Sequence, residues 1–398
     1  MIAKTSLRKF AFFFVLYELT TYLSNDMIMP AMLQVVNEFN APISKMILAL
    51  TYFVIGGSLL QMFLGPLAER YGKKLILLSG NVFFLITTVA ILFSHTIDYF
   101  LLFRFFQGMG LCFIFIGYAT IHESSNDVEA VKITSLLANI AIFAPLAGPV
   151  LGSALAAIFH WQAVFIFTAI LGLCALFGLY MYMPNQALEV KSAVDFKETV
   201  SRYKNILCSR VFMFGIFIAG ITIVPLTGWI GLSPVILMQT MHQSYAVYIG
   251  FQIIIFSGFI LSSFMIQKIA GSISFKKIIY CGNILALIGI VGAAVFCAKP
   301  NVFIAFMFIY ALGYGLFNGS VIRISLMSTG ESAGLSSACM SLLYCIYISL
   351  GLEIYNVLGN HFQFTLSSYA YINVLLGVIA FICLLKFVKY TEVSETEL

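Results

Sequence analysis

Four ionisable residues interrupt long apolar runs of this sequence, namely Glu18, Asp26, Arg104 and Glu353. Ionisable side chains inside hydrocarbon are costly, and they mark ion or substrate pathways by default. Glu18 and Asp26 fall in the same apolar run. On a helix their spacing of eight residues is about 12 Å along the axis with a rotation of about 80°. Both carboxyl groups can therefore open toward one cavity at different depths.

Two such carboxyl groups can exchange a bound proton for a bound cation. A carboxyl group surrounded by hydrocarbon is more stable neutral than ionised, so it can take up and release a proton. The neutral acid can pass through a conformational change in the membrane, whereas the ionised acid attracts a cationic ligand. Two plainer interpretations stay open. Asp26 can reach the outer interface beside Asn25 and Pro30, and Glu18 can make a structural hydrogen bond within a helix bundle.

Arg104 begins the run RFFQGMG at residues 104–110 and cannot lose its charge at this depth. It needs a polar or anionic partner, and Asp26 is one geometrically possible partner whose protonation would control a charge pair. The alternative is a fixed structural cation bonded to backbone carbonyls. Glu353 lies toward the outer end of its apolar run, where exposure at the membrane interface is an equally good interpretation.

The amino-acid composition indicates whether water or a lipid bilayer surrounds this protein. Of 398 residues, 61% are hydrophobic, 15% are aromatic and 9% are charged, against about 25% charged in an ordinary soluble domain. A water-soluble fold of this size cannot bury so much apolar surface, so the bilayer is the expected solvent.

The eight cysteines form no pattern with metal-ligand spacing. We expect no metal site, no cofactor, no enzyme activity and no nucleic-acid partner.

A hydrocarbon core of about 30 Å needs about 20 residues of helix, and apolar stretches of that length recur about twelve times. The sequence therefore predicts an all-α membrane protein with spans near 10–33, 45–67, 75–94, 98–121, 132–157, 162–183, 210–238, 244–267, 277–297, 301–325, 333–357 and 367–389.

The basic residues predict the orientation of these spans. With the N-terminus inside, the cytoplasmic tails and connections hold nearly all Lys and Arg, and the outer connections hold only Lys45 and Lys299. Such a separation is typical of multi-pass membrane proteins, whose cytoplasmic loops are enriched in basic residues. We therefore expect a multi-pass protein with an even number of spans and cytoplasmic N- and C-termini.

The longest polar stretch predicts the domain organisation. It begins at Pro184 and gives a cytoplasmic linker over 184–209, part of which is a short amphipathic segment. The linker separates two six-helix bundles, 1–183 and 210–398.

A glycine-containing loop, GPLAERYGKK at residues 65–74, suggests a conformational switch in the first bundle. Its glycines, Gly65 and Gly72, allow a tight turn and a close approach of helices. Glu69 and Arg70 can form a conformational latch with neighbouring helix ends. The plainer interpretation is a loop that is basic only because it is cytoplasmic.

A second pattern, APLAGPVLG at residues 144–152, combines close-packing glycines with helix-bending prolines. Its members are Pro145, Gly148, Pro149 and Gly152. They suggest a functional helix contact between the two bundles, and the plainer interpretation is a packing kink.

Together these patterns resemble the twelve-span drug:proton antiporter branch of the major facilitator superfamily. Residues 65–74 are similar to its loop motif, with Glu69 in place of the usual Asp. Arg104 with Gln107 and Gly108 resembles its fourth-helix proton-relay motif, and Gly148, Pro149 and Gly152 resemble its fifth-helix antiporter motif. Residues 17–30, YELTTYLSNDMIMP, resemble the first helix of a multidrug antiporter of this family, where the residues matching Glu18 and Asp26 are implicated in substrate and proton recognition.

The resemblance implies two six-helix bundles and proton-coupled export of lipophilic, often cationic compounds across a bacterial inner membrane, a function associated with antibiotic resistance. It implies that Glu18, Asp26 and Arg104 carry coupling and binding, in a protein expected to be a monomer. Candidate residues for the wall of a cavity are Tyr22, Asn25, Met29, Tyr118, Trp229, Pro234 and Tyr310, for which ordinary helix packing is an equal alternative.

Two other functions stay open. One is a proton-coupled carrier of a single metabolite or siderophore, as exporter or importer. The other is a membrane enzyme or receptor, against which stand the lack of a catalytic constellation in the sequence and the shortness of its polar segments.

Overall fold

Helices account for the architecture, as the long apolar runs predict. The computed structural model describes residues 4–124, 127–184, 196–269 and 273–396. The α-helices of the first half are α1 (Lys4–Asp26), α2 (Met32–Glu38), α3 (Ser44–Leu59), α4 (Gln61–Tyr71), α5 (Lys73–Leu92), α6 (Ile97–Gly108), α7 (Ile114–Ser124), α8 (Asp127–Ile158) and α9 (Gln162–Tyr182). Those of the second half are α10 (Phe196–Cys208), α11 (Arg210–Ser233), α12 (Tyr245–Ile269), α13 (Phe275–Val295), α14 (Pro300–Met327), α15 (Ala333–Phe362) and α16 (Leu366–Thr396).

Several predicted spans are interrupted rather than straight. A 3₁₀ turn at Met29–Ala31 follows α1, and a 3₁₀ segment at Met109–Phe113 separates α6 from α7. A π-helical segment, Pro234–Thr240, continues α11. Proline has no N–H to donate. The regular α-helical hydrogen bonds are therefore interrupted at Pro30 in the first of these segments and at Pro234 in the last. α3 and α4 meet at a bend of 42°.

Most predicted spans are confirmed as helices that can cross a membrane. Within the described part of the chain, nine helices are long and apolar enough, and α3 with α4 makes a tenth if the bent pair is one span. The nine are Lys73–Leu92, Ile97–Ile121, Gln162–Tyr182, Arg210–Thr240, Tyr245–Ile269, Lys276–Val295, Pro300–Met327, Gly334–Phe362 and Leu366–Val388.

The predicted spans 10–33 and 132–157 are not among these nine helices. α1 is long, but it contains the basic Lys4, Arg8 and Lys9 as well as the two acids. α8 provides a shorter apolar helix, Phe143–Ile158, within the described residues. The count of twelve spans and the cytoplasmic placement of both termini therefore stay predictions.

The chain divides into two compact units, Met1–Asp195 and Phe196–Leu398. Much of the predicted linker, residues 185–195, lies outside the described residues. The remainder forms α10, which belongs to the second unit and is tied to it by an ion pair of 3.0 Å between Arg202 Nε and Glu331 Oε2. The domain bounds 1–183, 184–209 and 210–398 stay a prediction.

In the first unit, α1 packs against α8 and α9. Phe10, Phe14 and Tyr17 form its fully buried face, because residues three and four apart lie on one side of a helix. The Tyr17 hydroxyl donates to the Gly110 carbonyl at 2.7 Å. That carbonyl lies in the 3₁₀ segment of the fourth span, so α1 is fixed at the break between α6 and α7.

In the second unit, α11 packs against α14, α15 and α16. Tyrosine hydroxyls of two neighbouring helices hold α11 next to its internal Pro225. Tyr310 of α14 donates to the Thr222 carbonyl, and Tyr369 of α16 donates to the Pro225 carbonyl. Pro225 has no N–H to donate to the carbonyl four residues earlier, that of Ile221. The bonds to the Thr222 and Pro225 carbonyls are therefore additional contacts that fix the same part of α11.

Candidate functional site

The site is built around Arg104, whose side chain is completely buried. Its Nη1 donates to the Gln107 Oε1 at 2.6 Å and to the Ser24 carbonyl at 3.3 Å, and its Nη2 donates to the Asn25 Oδ1 at 2.7 Å. α1 ends at Asp26, so the Ser24 carbonyl belongs to the last turn, where carbonyls lack partners within the helix. The planar guanidinium can serve several acceptors at once.

Asn25 connects Arg104 to Asp26. The Asn25 Nδ2 donates to Asp26 Oδ1 at 3.0 Å while its Oδ1 accepts from Arg104. The Asp26 side chain is only 5% exposed, so it does not reach out to an interface. Direct contact between Asp26 and Arg104 is one arrangement that the sequence allows, and in the structure the two are instead linked through the Asn25 amide. A change of charge on Asp26 can reach Arg104 through that amide.

A further layer of contacts fixes the guanidinium. The Gln107 Nε2 donates to the Thr88 hydroxyl at 2.8 Å, and that hydroxyl donates to the Phe84 carbonyl at 2.7 Å. The guanidinium carbon lies 4.5 Å from the centre of the Phe53 ring, which is a cation–π distance. α3, α5 and α6 thus hold Arg104 in place against the end of α1.

Glu18 lies on the same helix with a separate set of contacts. Its side chain is 2% exposed, and Oε1 accepts a hydrogen bond of 2.9 Å from the Tyr118 hydroxyl. Its Oε2 is buried and has no hydrogen-bond partner among the described residues. An unpartnered carboxylate oxygen in a buried place is costly, so this oxygen suits either a proton or a donor group of a ligand.

The fifth-span motif is brought directly to the end of α1. A side-chain carbon added at Gly148 would meet Asp26, and one added at Gly152 would meet the Met27 backbone. Pro149 between them is also buried, whereas Pro145 is half-buried. The glycines therefore let α8 approach the backbone that carries Asp26.

A Gly152→Ala variant is expected to unfold at a lower temperature than the wild type. The methyl group would overlap the Met27 carbonyl, and overpacking of this kind costs about 1–3 kcal/mol. Thermal unfolding in detergent measures the change. The matched control is Gly319→Ala in α14, where the added methyl group would meet no described atom within 4 Å beyond the local helix backbone and where alanine favours the helix by about 1 kcal/mol. An unchanged unfolding temperature for Gly152→Ala would show that close approach at this glycine is not required.

The two glycines of the loop at residues 65–74 have different environments. Gly72 has φ 89°, a conformation that L side chains rarely adopt, so the predicted turn between α4 and α5 requires a glycine there. Gly65 instead lies inside α4 and is half-buried, and a side-chain carbon added to it would meet no described atom within 4 Å. The prediction that Gly65 allows a tight turn or a close helix approach is therefore wrong, because the helix continues through this residue and no described neighbour approaches it.

The charged residues of the same loop lie apart from Arg104 and the acids of α1. Glu69 and Arg70 are exposed near the end of α4, and Arg70 places its guanidinium 5.1 Å from the centre of the Tyr71 ring. Their role as a latch stays a prediction.

The candidate cavity residues fall into two groups. Met29, Trp229, Pro234 and Tyr310 are buried in helix packing, and Tyr22, Asn25 and Tyr118 are partly buried. Among the first group, Tyr310 holds the α11 backbone and Trp229 packs against Phe303 and Tyr369. Asn25 and Tyr118 are hydrogen-bonded to the ionisable residues of α1 or α6.

Sequence reasoning missed Ser24 and Thr88. Both are ordinary small polar residues in apolar runs, and their type and spacing give no signal of their partners. Glu353, which the apolar pattern did reveal, is half-buried and accepts from the Asn356 Nδ2.

Comparisons with known proteins agree with this arrangement of helices. Residues 14–352 match the family model of the Major Facilitator Superfamily. The multidrug transporter MdfA of Yersinia pestis bv. Antiqua (strain Angola) is 36% identical over 348 residues, 86% of this chain and 85% of the relative. The multidrug transporter MdfA of Escherichia coli O6:H1 is 36% identical over 345 residues, 85% of this chain and 84% of the relative.

Solved structures share the fold. The xylose transporter XylE from E. coli, in a partially occluded inward open conformation, has a TM-score of 0.73 at 17% identity, covering 97% of this chain and 98% of that one. A bacterial homolog of the human lysosomal transporter Spinster, inward-facing and unoccupied, also has a TM-score of 0.73, at 13% identity, covering 97% of this chain and 96% of that one.

Proposed function

Because this chain belongs to the major facilitator superfamily and is a multi-pass membrane protein, we propose that it exports lipophilic, often cationic compounds in exchange for protons across a bacterial inner membrane. Relatives at 36% identity over most of the chain are multidrug transporters, which supports this assignment. The export of a compound and the entry of a proton are then linked steps of one transport cycle.

One observation carries the proposal, namely two buried carboxyl groups on α1 with unlike surroundings. Asp26 is joined through Asn25 to the buried Arg104, whereas Glu18 keeps an unpartnered oxygen. The arrangement at Asp26 allows protonation of its carboxyl group to change the interaction with the neighbouring Arg104 charge. The arrangement at Glu18 leaves an oxygen that can bind cargo. Protons and cationic cargo would compete for this pair of acids.

The cycle that follows uses these groups in order. With both acids ionised, a cationic compound is attracted to Glu18, whose free oxygen accepts from a donor on the compound. Protonation of Asp26 neutralises its carboxylate. The electrostatic attraction between Asp26 and Arg104, which are linked through Asn25, is then lost. Protonation of Glu18 weakens the hold on the cargo. Release of the compound on the outer side and of protons on the inner side returns the acids to their ionised state.

Purified protein in liposomes with an imposed pH gradient tests the proposal. We expect a lipophilic cationic dye to move against the proton flux, and a trapped pH indicator to report proton movement that depends on the dye. Empty liposomes are the control. A protein that moves no dye under any gradient, but takes up one small metabolite, would instead support a dedicated carrier.

A further inference from the structure

α15 carries three polar residues on one side, Ser349, Glu353 and Asn356. Their spacings of four and three residues place them within about 60° of one another around the helix axis. We call this set the α15 stripe. Within the spanning helices described in the second unit, Glu353 is the one acidic residue.

The stripe does not face α11, one of the helices against which α15 packs. The contact with α11 is made by the other side of α15, where Tyr347, Gly351 and Tyr355 meet Gly220, Val224 and Gly228. By helical geometry this side is rotated by about half a turn from the stripe. The α15 stripe is therefore not explained by packing against α11.

Two members of the stripe are buried with atoms that have no partner among the described residues. Ser349 and Asn356 are each 5% exposed, and neither the Ser349 Oγ nor the Asn356 Oδ1 has a hydrogen-bond partner. The Asn356 Nδ2 donates to both Glu353 carboxylate oxygens, at 3.2 and 3.3 Å. This bond sets the orientation of the amide, since the reverse orientation would place its oxygen against the carboxylate. A buried group without a partner costs about 1–3 kcal/mol, so a ligand that supplies the donors is favoured.

The chemistry of the stripe is that of a site for a positively charged donor. It offers a carboxylate, an amide oxygen and a hydroxyl. Ser349 and Asn356 are about 10 Å apart along the axis at 1.5 Å per residue, whereas a metal ion holds its oxygen ligands at about 2.0–2.6 Å. One metal ion cannot contact both ends. An elongated organic molecule with a protonated amine and further donors can.

We propose that the α15 stripe binds the protonated amine of cationic cargo, with Glu353 as its counter-charge and Ser349 and Asn356 as hydrogen-bond partners. This inference rests on the proposed export function and adds a contact site in the second unit to that of Glu18. Neutral cargo has no positive charge to pair with Glu353, so this residue would not strengthen its binding. The stripe would therefore distinguish charged from neutral compounds.

The test is a Glu353→Gln variant in the liposome assay, with one cationic dye and one neutral lipophilic compound. We expect KM for the dye to rise by about tenfold, the size of one charge-assisted contact. The KM for the neutral compound and both maximal rates should stay within about twofold. The matched control is Asp98→Asn, which removes one exposed carboxylate and should leave both KM values unchanged. An unchanged KM for the dye in Glu353→Gln, or an equal rise for both compounds, would overturn the proposal.

A second variant keeps the proposal testable if Glu353→Gln does not fold. Ser349→Ala removes the hydroxyl that has no partner among the described residues and should raise KM for the dye severalfold without changing that for a neutral compound that lacks hydrogen-bond donors. A dye KM that is unchanged or lowered contradicts the proposal. Wild-type protein that moves neither compound would refute the export function itself, whereas normal wild-type transport with unaffected variants would refute only the role of the stripe.

Discussion

A double variant, Glu18→Gln with Asp26→Asn, is expected to lower proton-driven efflux of a cationic dye by on the order of 100-fold, since each charged hydrogen-bonding group contributes about 1.5–3 kcal/mol. Both replacements keep the size and shape of the side chain and remove the proton-binding group. Both acids are buried, at 2% and 5% exposure, so water cannot readily replace them. Efflux driven by an imposed pH gradient, measured in liposomes, gives the rate.

The two single variants should differ from each other. Glu18 has an unpartnered oxygen, so Glu18→Gln should raise KM for the cationic dye and affect a neutral compound less. Asp26 is linked to Arg104 through Asn25, so Asp26→Asn should reduce coupled efflux of both compounds. Asp98→Asn again controls for loss of a surface charge. If the double variant matches the wild type, proton coupling through these two acids is wrong.

An Arg104→Gln variant is expected to lose coupled transport by a similar factor and to be less stable. The change removes donors from Asn25 and Gln107. Each buried acceptor left without a donor costs about 1–3 kcal/mol, so the free energy of unfolding should fall by about 3 kcal/mol. It also removes the positive charge that Asn25 links to Asp26. Thermal unfolding and dye efflux measure the two effects separately.

Arg104→Lys is the matched control, because it retains the charge and loses the planar fork of donors. An ammonium group cannot hold Ser24, Asn25 and Gln107 in the same geometry. We expect intermediate stability and a partial recovery of efflux relative to Arg104→Gln. Wild-type efflux in Arg104→Gln would contradict a role for this charge in coupling. Equal loss in both variants would show that geometry matters more than charge.

The sequence by itself determined the helical membrane architecture. Span lengths follow from the thickness of hydrocarbon, and this physical constraint acts on each segment separately. Most predicted spans are accordingly helices of the expected type. The span around α1 is harder to recognise, because its three basic and two acidic residues make it less apolar than the other spans.

The sequence also identified the residues most worth attention. A charge within an apolar run is costly wherever the helix lies, so Glu18, Asp26 and Arg104 are evident from the order of residues alone. Conformational freedom at Gly72 is equally local, and its φ of 89° agrees with the predicted tight turn. The role predicted for Gly65 depended on a neighbouring helix, which a local pattern does not specify. A side-chain carbon added at Gly65 would meet no described atom within 4 Å beyond the backbone of its own helix turns.

Only the tertiary structure decided which groups meet. Arg104 and Ser24 are 80 residues apart, and several polar groups near the end of α1 are plausible acceptors for the guanidinium. The packing of α3, α5 and α6 brings Arg104 to Asn25, which links it to Asp26. The same packing leaves one oxygen of Glu18 without a partner among the described residues. Such choices depend on how several helices pack at once, and no local pattern in the sequence encodes them.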